Sequence, residues 1–290
     1  MAEGYGKDLR KVKMKNVCVI TGGGSGMGLA AAKFMLKDRI IVVSGRTQAK
    51  LDKAVQELET LGYEAHACVC DTSKRDQVRH LAEYAQSLGN VKNVIHAAGV
   101  SPTMADPEQI LRINALGTVY VNQEFSRVMG ENSVILDVSS SSAYVLPKFM
   151  IHEKTYVLAE SDEGKFMKKL LRISCLPHCD YEKAGLAYAF SKNFVVWYAR
   201  RCAFIYGANG IRVVSLSPGL ISTGMGNREA KEGEKILAYG TQQRMGTPEE
   251  LGFAIASAAD ERNGYLAGVD ILCDGGCTAG KKLKQKLSLS

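Results

Sequence analysis

"VCVITGGGSGMGLAAAKFML", residues 17–36, decides the fold. Four apolar residues run into a glycine-rich turn, and the turn opens directly into an alanine-rich helical pattern. A continuous apolar run of this length is what a strand buried on both faces requires. Glycines at such a turn let the chain bend tightly, bring backbone N–H groups close to a pyrophosphate, and let the helix pack against the strand. The helix N-terminus then presents partial positive charge to an anion. The candidate phosphate-binding residues are Thr21, Gly22, Ser25, Gly26, Met27 and Gly28, with the spacing Gly22-x3-Gly26-x-Gly28. The plain alternative is a turn with no ligand. Its place after the first strand and at the start of the first helix argues against that.

Working outward, short apolar runs recur at 16–21, 40–44, 65–70, 93–98, 133–138, 211–217 and 269–273. Amphipathic segments such as 27–37, 48–61 and 74–88 lie between them. Strand–helix alternation of this kind gives right-handed crossovers and a parallel sheet covered on both faces. The expected architecture is a single-domain α/β, Rossmann-like, doubly wound parallel sheet of about seven strands. No repeat, linker or low-complexity stretch divides the chain. One catalytic domain is therefore expected over 1–280, followed by a basic tail, 281–290.

The net charge of +7 sits at the ends. Residues 1–15 hold five basic and two acidic side chains, and the tail holds Lys281, Lys282, Lys284 and Lys286, which accounts for all of it. A neutral body argues against nucleic acid as a partner, since that would call for basic charge on the fold itself. The two ends read as solvated arms. No apolar run reaches the ~18 residues of a membrane helix, and the polar start lacks a signal-peptide core, so a cytoplasmic location is expected. Of eight cysteines, none stands in a C-x-x-C spacing. Cys18, Cys68, Cys70 and Cys273 lie in or beside strand-like runs, where thiols behave as small hydrophobes. Cys175, His178 and Cys179 offer ligand chemistry, but no second cluster completes a tetrahedral site, so no metal is expected.

About 20 residues past the glycine turn, an acidic residue would bind the ribose 2′-hydroxyl of NAD. The chain instead reads "VSGRT", with Arg46 in that position. A guanidinium matches a 2′-phosphate in charge and in bidentate geometry, which favours NADP(H) over NAD(H). The alternative is a solvated arginine opening the next helix.

With these residues in place the chain resembles the short-chain dehydrogenase/reductase family, in its single-domain branch. The match rests on Thr21, Gly22, Gly26 and Gly28 in the first turn; Asp71 and Thr72 in "CDTSK"; and Ala98 and Gly99 in "HAAG". It continues with Asn114 in "INALG", Ser140 in "LDVSSSS", and Tyr188 and Lys192 in "YAFSK". Pro218, Gly219 and Thr223 in "SPGLISTGM", with "RMGTPEE" and "GVDILCDGG", extend it to about residue 276. The resemblance implies that Asp71 lies beside the adenine, that Thr72, Ala98 and Gly99 also bind the cofactor, with Gly99 letting the backbone pass it closely, and that Thr223, after the Pro218–Gly219 turn, holds the nicotinamide amide. It also implies a catalytic set of Asn114, Ser140, Tyr188 and Lys192, of which Tyr188 and Lys192 also touch the cofactor. The reaction implied is the interconversion of a ketone or aldehyde with an alcohol. Ser139, Ser141 and Ser142 leave the serine open by one position.

Physics makes the Tyr–Lys pair plausible. A free phenol titrates at ~10, too high for reversible proton transfer near neutrality. Lowering that by ~3 requires ~4 kcal/mol of preferential phenolate stabilisation. One cation ~4 Å away supplies about that at an effective dielectric near 20. Lys192, one helical turn beyond Tyr188, is on the correct face. The family resemblance further implies that Asn114 holds a water linking Lys192 to solvent.

Two departures stand out. His96 replaces the family's asparagine after the fourth strand and is read as structural. Ser140 and Tyr188 are 48 positions apart, far beyond the usual spacing. The additional stretch, 146–184, resembles the bacterial 3α-hydroxysteroid dehydrogenase/carbonyl reductase group. Within it, Ser161 is expected to cap a helix with Phe166, Met167, Leu170, Leu171 and Ile173 as its apolar stripe.

A substrate lid is expected at about 220–245, with Met225, Ile236, Leu237 and Tyr239 as apolar contacts. Phe149, Met150, Ile151 and Tyr156 of the insertion are expected at the same rim. The leading substrate is a mainly apolar carbonyl such as a steroid; the alternative is that these side chains merely pack the lid. Family members pair through the helices of Asn114 and Tyr188, so a homo-oligomer is expected. The rival readings are a 3-oxoacyl-carrier-protein reductase, a non-catalytic dinucleotide-binding regulator, and an epimerase of the family's extended branch.

Overall fold

The structure is a computed structural model that describes residues 14–151, 153–226 and 236–287. Seven parallel strands form one sheet in the order β3-β2-β1-β4-β5-β6-β7. They are β1 (Asn16–Thr21), β2 (Arg39–Gly45), β3 (Glu64–Val69), β4 (Asn90–His96), β5 (Ser133–Val138), β6 (Ile211–Pro218) and β7 (Asp270–Cys273). Helix α1 (Gly26–Phe34) follows β1, α2 (Gln48–Thr60) follows β2, and α3 (Arg75–Leu88) follows β3. The strand order reverses between β1 and β4, so a crevice opens above their carboxyl ends, where ligands of such sheets bind.

Side-chain alternation explains the two layers. Val17 and Val19 face an apolar cluster that includes Leu81, Leu116 and Phe194, while Cys18 and Ile20 face another containing Leu51, Leu58 and Ile255. Both faces of β1 are dry, which is why its sequence is unbroken apolar. The fourth strand begins three residues earlier than expected and stops at His96. There Ala97 N–H bonds Thr21 O at 3.1 Å and the chain leaves the sheet.

After β4, the short α4 (Pro107–Ile110) passes through a π turn, Leu111–Leu116, into α5 (Gly117–Phe125). The insertion forms α6 (Glu153–Tyr156), α7 (Leu158–Ser161) and α8 (Glu163–Ser174) ahead of the 27-residue α9 (Asp180–Tyr206). The cap of α8 is Asp162, whose carboxylate accepts Lys165 N–H at 2.9 Å; Ser161, the expected cap, is the last residue of α7. Phe166, Met167 and Leu170 are buried as expected, with Leu171 and Ile173 partly so.

Tyr156 is also core rather than rim. Its ring meets Phe194 edge-on at 5.3 Å, and its hydroxyl donates to Asn193 Oδ1. Met150 and Ile151 pack on the same cluster, and Phe149 stands in solvent. The insertion is therefore tied into the body.

Two helices complete the chain, α10 (Pro248–Ala258) and α11 (Cys277–Leu287). Residues 281–287, expected as part of a solvated arm, are the later turns of α11. Residues 1–13 and 288–290 lie outside the described residues, as does 227–235 of the expected lid.

Candidate active site

The turn after β1 is shaped by close backbone contact. Gly22 has φ +69°, and a Cβ there would stand 2.8 Å from the backbone of Ala97 and Ala98. A Cβ on Gly28 would meet Gly22 O at 2.5 Å. No side chain caps the N-terminus of α1, and its first turn carries no acidic residue. Its amides are thus left for an external anion. Thr21, Gly26 and Gly28 shape this turn without lining the cleft. Thr21 is buried, and its hydroxyl accepts Ala98 N–H at 3.3 Å and lies 2.8 Å from His96 Nδ1.

The cleft has two halves. One is lined by Gly22, Ser25, Arg46, Asp71, Thr72, Ala98 and Gly99, among others. Arg46 is exposed and, among the described residues, has no carboxylate partner; Thr47 and Lys50 lie beside it. The Asp71 carboxylate accepts Ser73 N–H and O–H at 3.0 and 2.8 Å, which fixes the loop after β3. These features fit the adenosine diphosphate half of a dinucleotide. The other half is lined by Met27, Ser140, Tyr188, Pro218, Gly219 and Thr223, with Met225, Ile236, Leu237 and Cys277 around it. Of the expected rim residues, Phe149, Met150, Ile151, Tyr156 and Tyr239 do not line it, whereas Tyr181 and Leu220 do.

Ser140 and Tyr188 share this second half. Ser139 is buried, and its hydroxyl donates to Lys192 O at 2.7 Å, so among the four serines it has a structural partner. Ser140 Oγ accepts Ser142 N–H at 3.1 Å while facing the cleft.

Lys192 and Asn114 lie behind the wall rather than in it. Lys192 is 6% exposed, its Nζ donates to Val138 O at 2.9 Å, and it stands 5.8 Å from the Tyr188 ring centroid. A Cβ on Gly99 would be 3.2 Å from Asn114 Oδ1 and 3.5 Å from Lys192 Nζ, so all three groups meet at one point. Asn114 sits in the π turn. Its amide oxygen accepts Val100 N–H and its Nδ2 donates to Val100 O, both at 2.9 Å. Extended helical turns of this type recur at functional sites.

A buried set of ionisable groups lies under Lys192. Burial pulls the Lys192 ammonium down to about 8, partly offset by the Asp137 carboxylate. Burial pushes Asp137 up to about 7 against the opposing pull of the Asn122 amide and Lys192. His96, in register with Asp137 on the next strand, is held down to about 3 by burial and then by Lys192. It is neutral at physiological pH, and its Nε2 has no hydrogen-bond partner. The sequence places His96 in the core but does not reveal that orphaned nitrogen.

Among the described residues no group of His, Cys, Asp and Glu is arranged to hold a metal, and no helix is long and apolar enough to cross a membrane.

Comparison with known proteins completes the assignment. Residues 16–152 match the short chain dehydrogenase family, and residues 170–278 match a family described as enoyl-(acyl carrier protein) reductase. Between them they span most of the chain. The short-chain dehydrogenase/reductase bsc3 of Alternaria brassicicola is 28% identical, over 91% of this chain and 96% of that one. The 3beta-hydroxysteroid dehydrogenase 2 of Eggerthella lenta is 26% identical over 90% and 94%. The crystal structure of a short chain dehydrogenase from Burkholderia cenocepacia in complex with NADP superposes with a TM-score of 0.71 at 20% identity, covering 92% and 98%. Two family matches in tandem, relatives aligned nearly end to end and a shared overall fold all agree with the residues gathered at the cleft: the chain belongs to the short-chain dehydrogenase/reductase family of oxidoreductases.

Proposed function

We propose that this protein is an NADP(H)-dependent carbonyl reductase or alcohol dehydrogenase with Tyr188 as its general acid/base. The observation that carries this is the meeting of Tyr188 and Ser140 in one half of the cleft, with Lys192 buried directly behind. Arg46, exposed at the other half beside Thr47 and Lys50, supports NADP(H) over NAD(H), and the Burkholderia neighbour was solved with NADP.

The cofactor's phosphates would lie on the α1 amides and the Thr21–Gly28 turn, its adenosine by Arg46, Asp71 and Thr72, with Ala98 and Gly99 lining the same half, and its nicotinamide by Pro218, Gly219 and Thr223. When bound there, NADPH would supply the hydride for the carbonyl carbon, its oxidation to NADP⁺ balancing the reduction. Ser140 donates a hydrogen bond to the carbonyl oxygen and orients it. The Tyr188 hydroxyl gives its proton to that oxygen, forming the alcohol and leaving a phenolate. Lys192 stabilises the phenolate electrostatically and, through water held near Asn114, returns the proton from solvent.

The lining of Met27, Leu220, Ile221, Met225, Ile236 and Leu237 favours a mainly apolar carbonyl such as a steroid. A carrier-linked 3-oxoacyl chain is the second reading, supported by a 25% identical relative, the 3-oxoacyl-[acyl-carrier-protein] reductase FabG of Thermotoga maritima. The enzyme is read as cytoplasmic and homo-oligomeric; the inserted α8 packs on α9, where it would either block pairing through that helix or build another interface. The test is NADPH oxidation with a panel of ketosteroids, simple ketones and acyl thioesters. Tyr188→Phe is expected to abolish turnover while NADPH still binds by fluorescence titration, and kcat/KM is expected to favour NADPH over NADH. Turnover retained by Tyr188→Phe would remove Tyr188 from the mechanism, and a preference for NADH would overturn the role of Arg46.

A further inference from the structure

Asp137 is a carboxylate buried completely beneath the active site. It belongs to a row of polar side chains that crosses the sheet near its carboxyl ends. Thr21, His96, Asp137, Ser215 and Asp270 stand in register on β1, β4, β5, β6 and β7. Strand alternation gives Asp137 the side of Ile135, whose cluster includes Phe125 of α5 and Phe194 of α9, whereas Val134, Leu136 and Val138 belong to the opposite cluster. From α5, Asn122 Nδ2 donates to both carboxylate oxygens at 3.0 Å. From α9, Lys192 Nζ donates to Val138 O at 2.9 Å, the carbonyl one residue beyond Asp137.

A carboxylate taken out of water is costly unless a positive charge lies near it. The neighbours of Asp137 in the row supply none. His96 is neutral, and its Nδ1 lies 2.8 Å from the Thr21 hydroxyl. The Ser215 hydroxyl donates to Asp270 at 2.6 Å, and Asp270 also accepts the hydroxyls of Ser217 and Tyr144. Cys202 of α9 is within electrostatic reach of Asp137, but burial holds it as a neutral thiol. Among the described residues, the charge that remains is the Lys192 ammonium. It is buried as well, and Asp137 is the carboxylate that acts on it. The two do not form a direct ion pair, since the nitrogen is held by the Val138 carbonyl. Tyr188 is the other titratable group facing the ammonium, with its ring centroid 5.8 Å from Nζ.

We propose that Asp137 is a positioning residue for the reaction: its carboxylate is the countercharge of the Lys192 ammonium and acts on Tyr188 through it. This rests on the reductase reading above. The two buried charges make one neutral pair in the layer between the sheet and α9. Burial alone makes a lysine give up its proton early as pH rises, and a nearby negative charge delays that loss. Without the carboxylate the ammonium is lost at lower pH, and Tyr188 loses the charge that stabilises its phenolate. Removing a negative charge also makes the Tyr188 hydroxyl itself easier to ionise, which acts in the same direction.

Asp137→Asn removes the charge at nearly constant shape. The first test follows kcat for carbonyl reduction by NADPH from pH 6 to pH 9 in the full chain. Wild type is compared with Asp137→Asn and with Ser215→Ala, which disturbs the same polar row without removing a charge. In Asp137→Asn the alkaline limb is expected to move to lower pH by about one unit, which makes the loss about eightfold at pH 8.5. The loss is expected to be slight at pH 6, where the wild-type carboxyl is itself largely protonated. Ser215→Ala is expected to keep the wild-type limb. An unmoved limb in Asp137→Asn, or an equal shift in Ser215→Ala, would overturn the proposal. Urea unfolding at pH 7.5 tests the pair without turnover. Removing one partner leaves a buried charge uncompensated, and removing both does not. Asp137→Asn is therefore expected to lower the midpoint, and adding Lys192→Met to bring it back towards wild type, a rescue that is read even where Asp137→Asn alone fails to fold. Additive losses in the double variant would overturn the pairing. If wild type reduces no carbonyl in the panel, the reductase reading fails and takes the positioning role with it, even where the rescue shows the two charges to be coupled.

Discussion

Substituting His96 by asparagine offers a quantitative test of the buried set beneath Lys192. In the fold, His96 is held neutral down to about 3, by burial first and the Lys192 charge second. In the unfolded chain a histidine titrates near 6.5. Between those values the unfolded state binds a proton that the folded state refuses, so stability rises with pH across the window and falls as the solution is acidified. From pH 7.5 to 4.5 the loss covers roughly the two units below 6.5, or about 3 kcal/mol at 1.36 kcal/mol per unit. Asp137 works in the opposite direction, because its folded value near 7 lies above the usual carboxylate range and stabilises the fold as pH falls. That contribution is present in both proteins and cancels in their comparison. The assay is urea unfolding of wild type and His96→Asn at both pH values, reading the difference between pH values within each protein. The mutant's loss of the Thr21 contact then drops out. Wild type is expected to lose about 3 kcal/mol more than the mutant on acidification. Equal losses would show that His96 protonates freely inside the fold, and would refute the reasoning.

Removing the Lys192 charge as Lys192→Met is expected to lower kcat by about a hundredfold. A unit charge 5.8 Å from the Tyr188 ring centroid is worth roughly 3 kcal/mol at an effective dielectric near 20; steady-state kinetics with NADPH checks it, and an unchanged kcat would contradict it. Phe166→Ala is expected to cost about 3–5 kcal/mol in urea unfolding, because its ring is fully buried against Phe194 at 5.1 Å and truncation leaves a cavity. A loss below about 1 kcal/mol would mean that the insertion packs loosely on the body.

The sheet was readable because β1, β5 and β6 are buried on both faces and leave continuous apolar runs. Strand β4 begins before its apolar run because two of its opening residues, Asn90 and Lys92, are polar, and the strand bulges past β1 where Val17 passes to Cys18. The glycine turn, Ser140 and Tyr188 were found by motif, and the structure gathers them at the cleft. Apolarity alone places Tyr156 at the rim, yet its ring fills the core against Phe194 of α9. The lysines of 281–284 read as solvent-facing, which they are; only the tertiary seating of α11 on Tyr239 and Tyr144 gives them a location. Local composition carries charge and apolarity, but not the long-range contact that decides what either one faces.

The backbone interlock between Gly22, Gly28 and Ala97 separates two properties that a protein engineer would want to vary independently. Aim of the phosphate-facing amides is set inside the fold, by atoms that no surface change reaches. Arg46, Thr47 and Lys50 stand outside it, exposed at the start of α2. Swapping those three for residues suited to a different nucleotide should retune cofactor choice while thermal tolerance stays level, whereas a single methyl added at the turn would forfeit both.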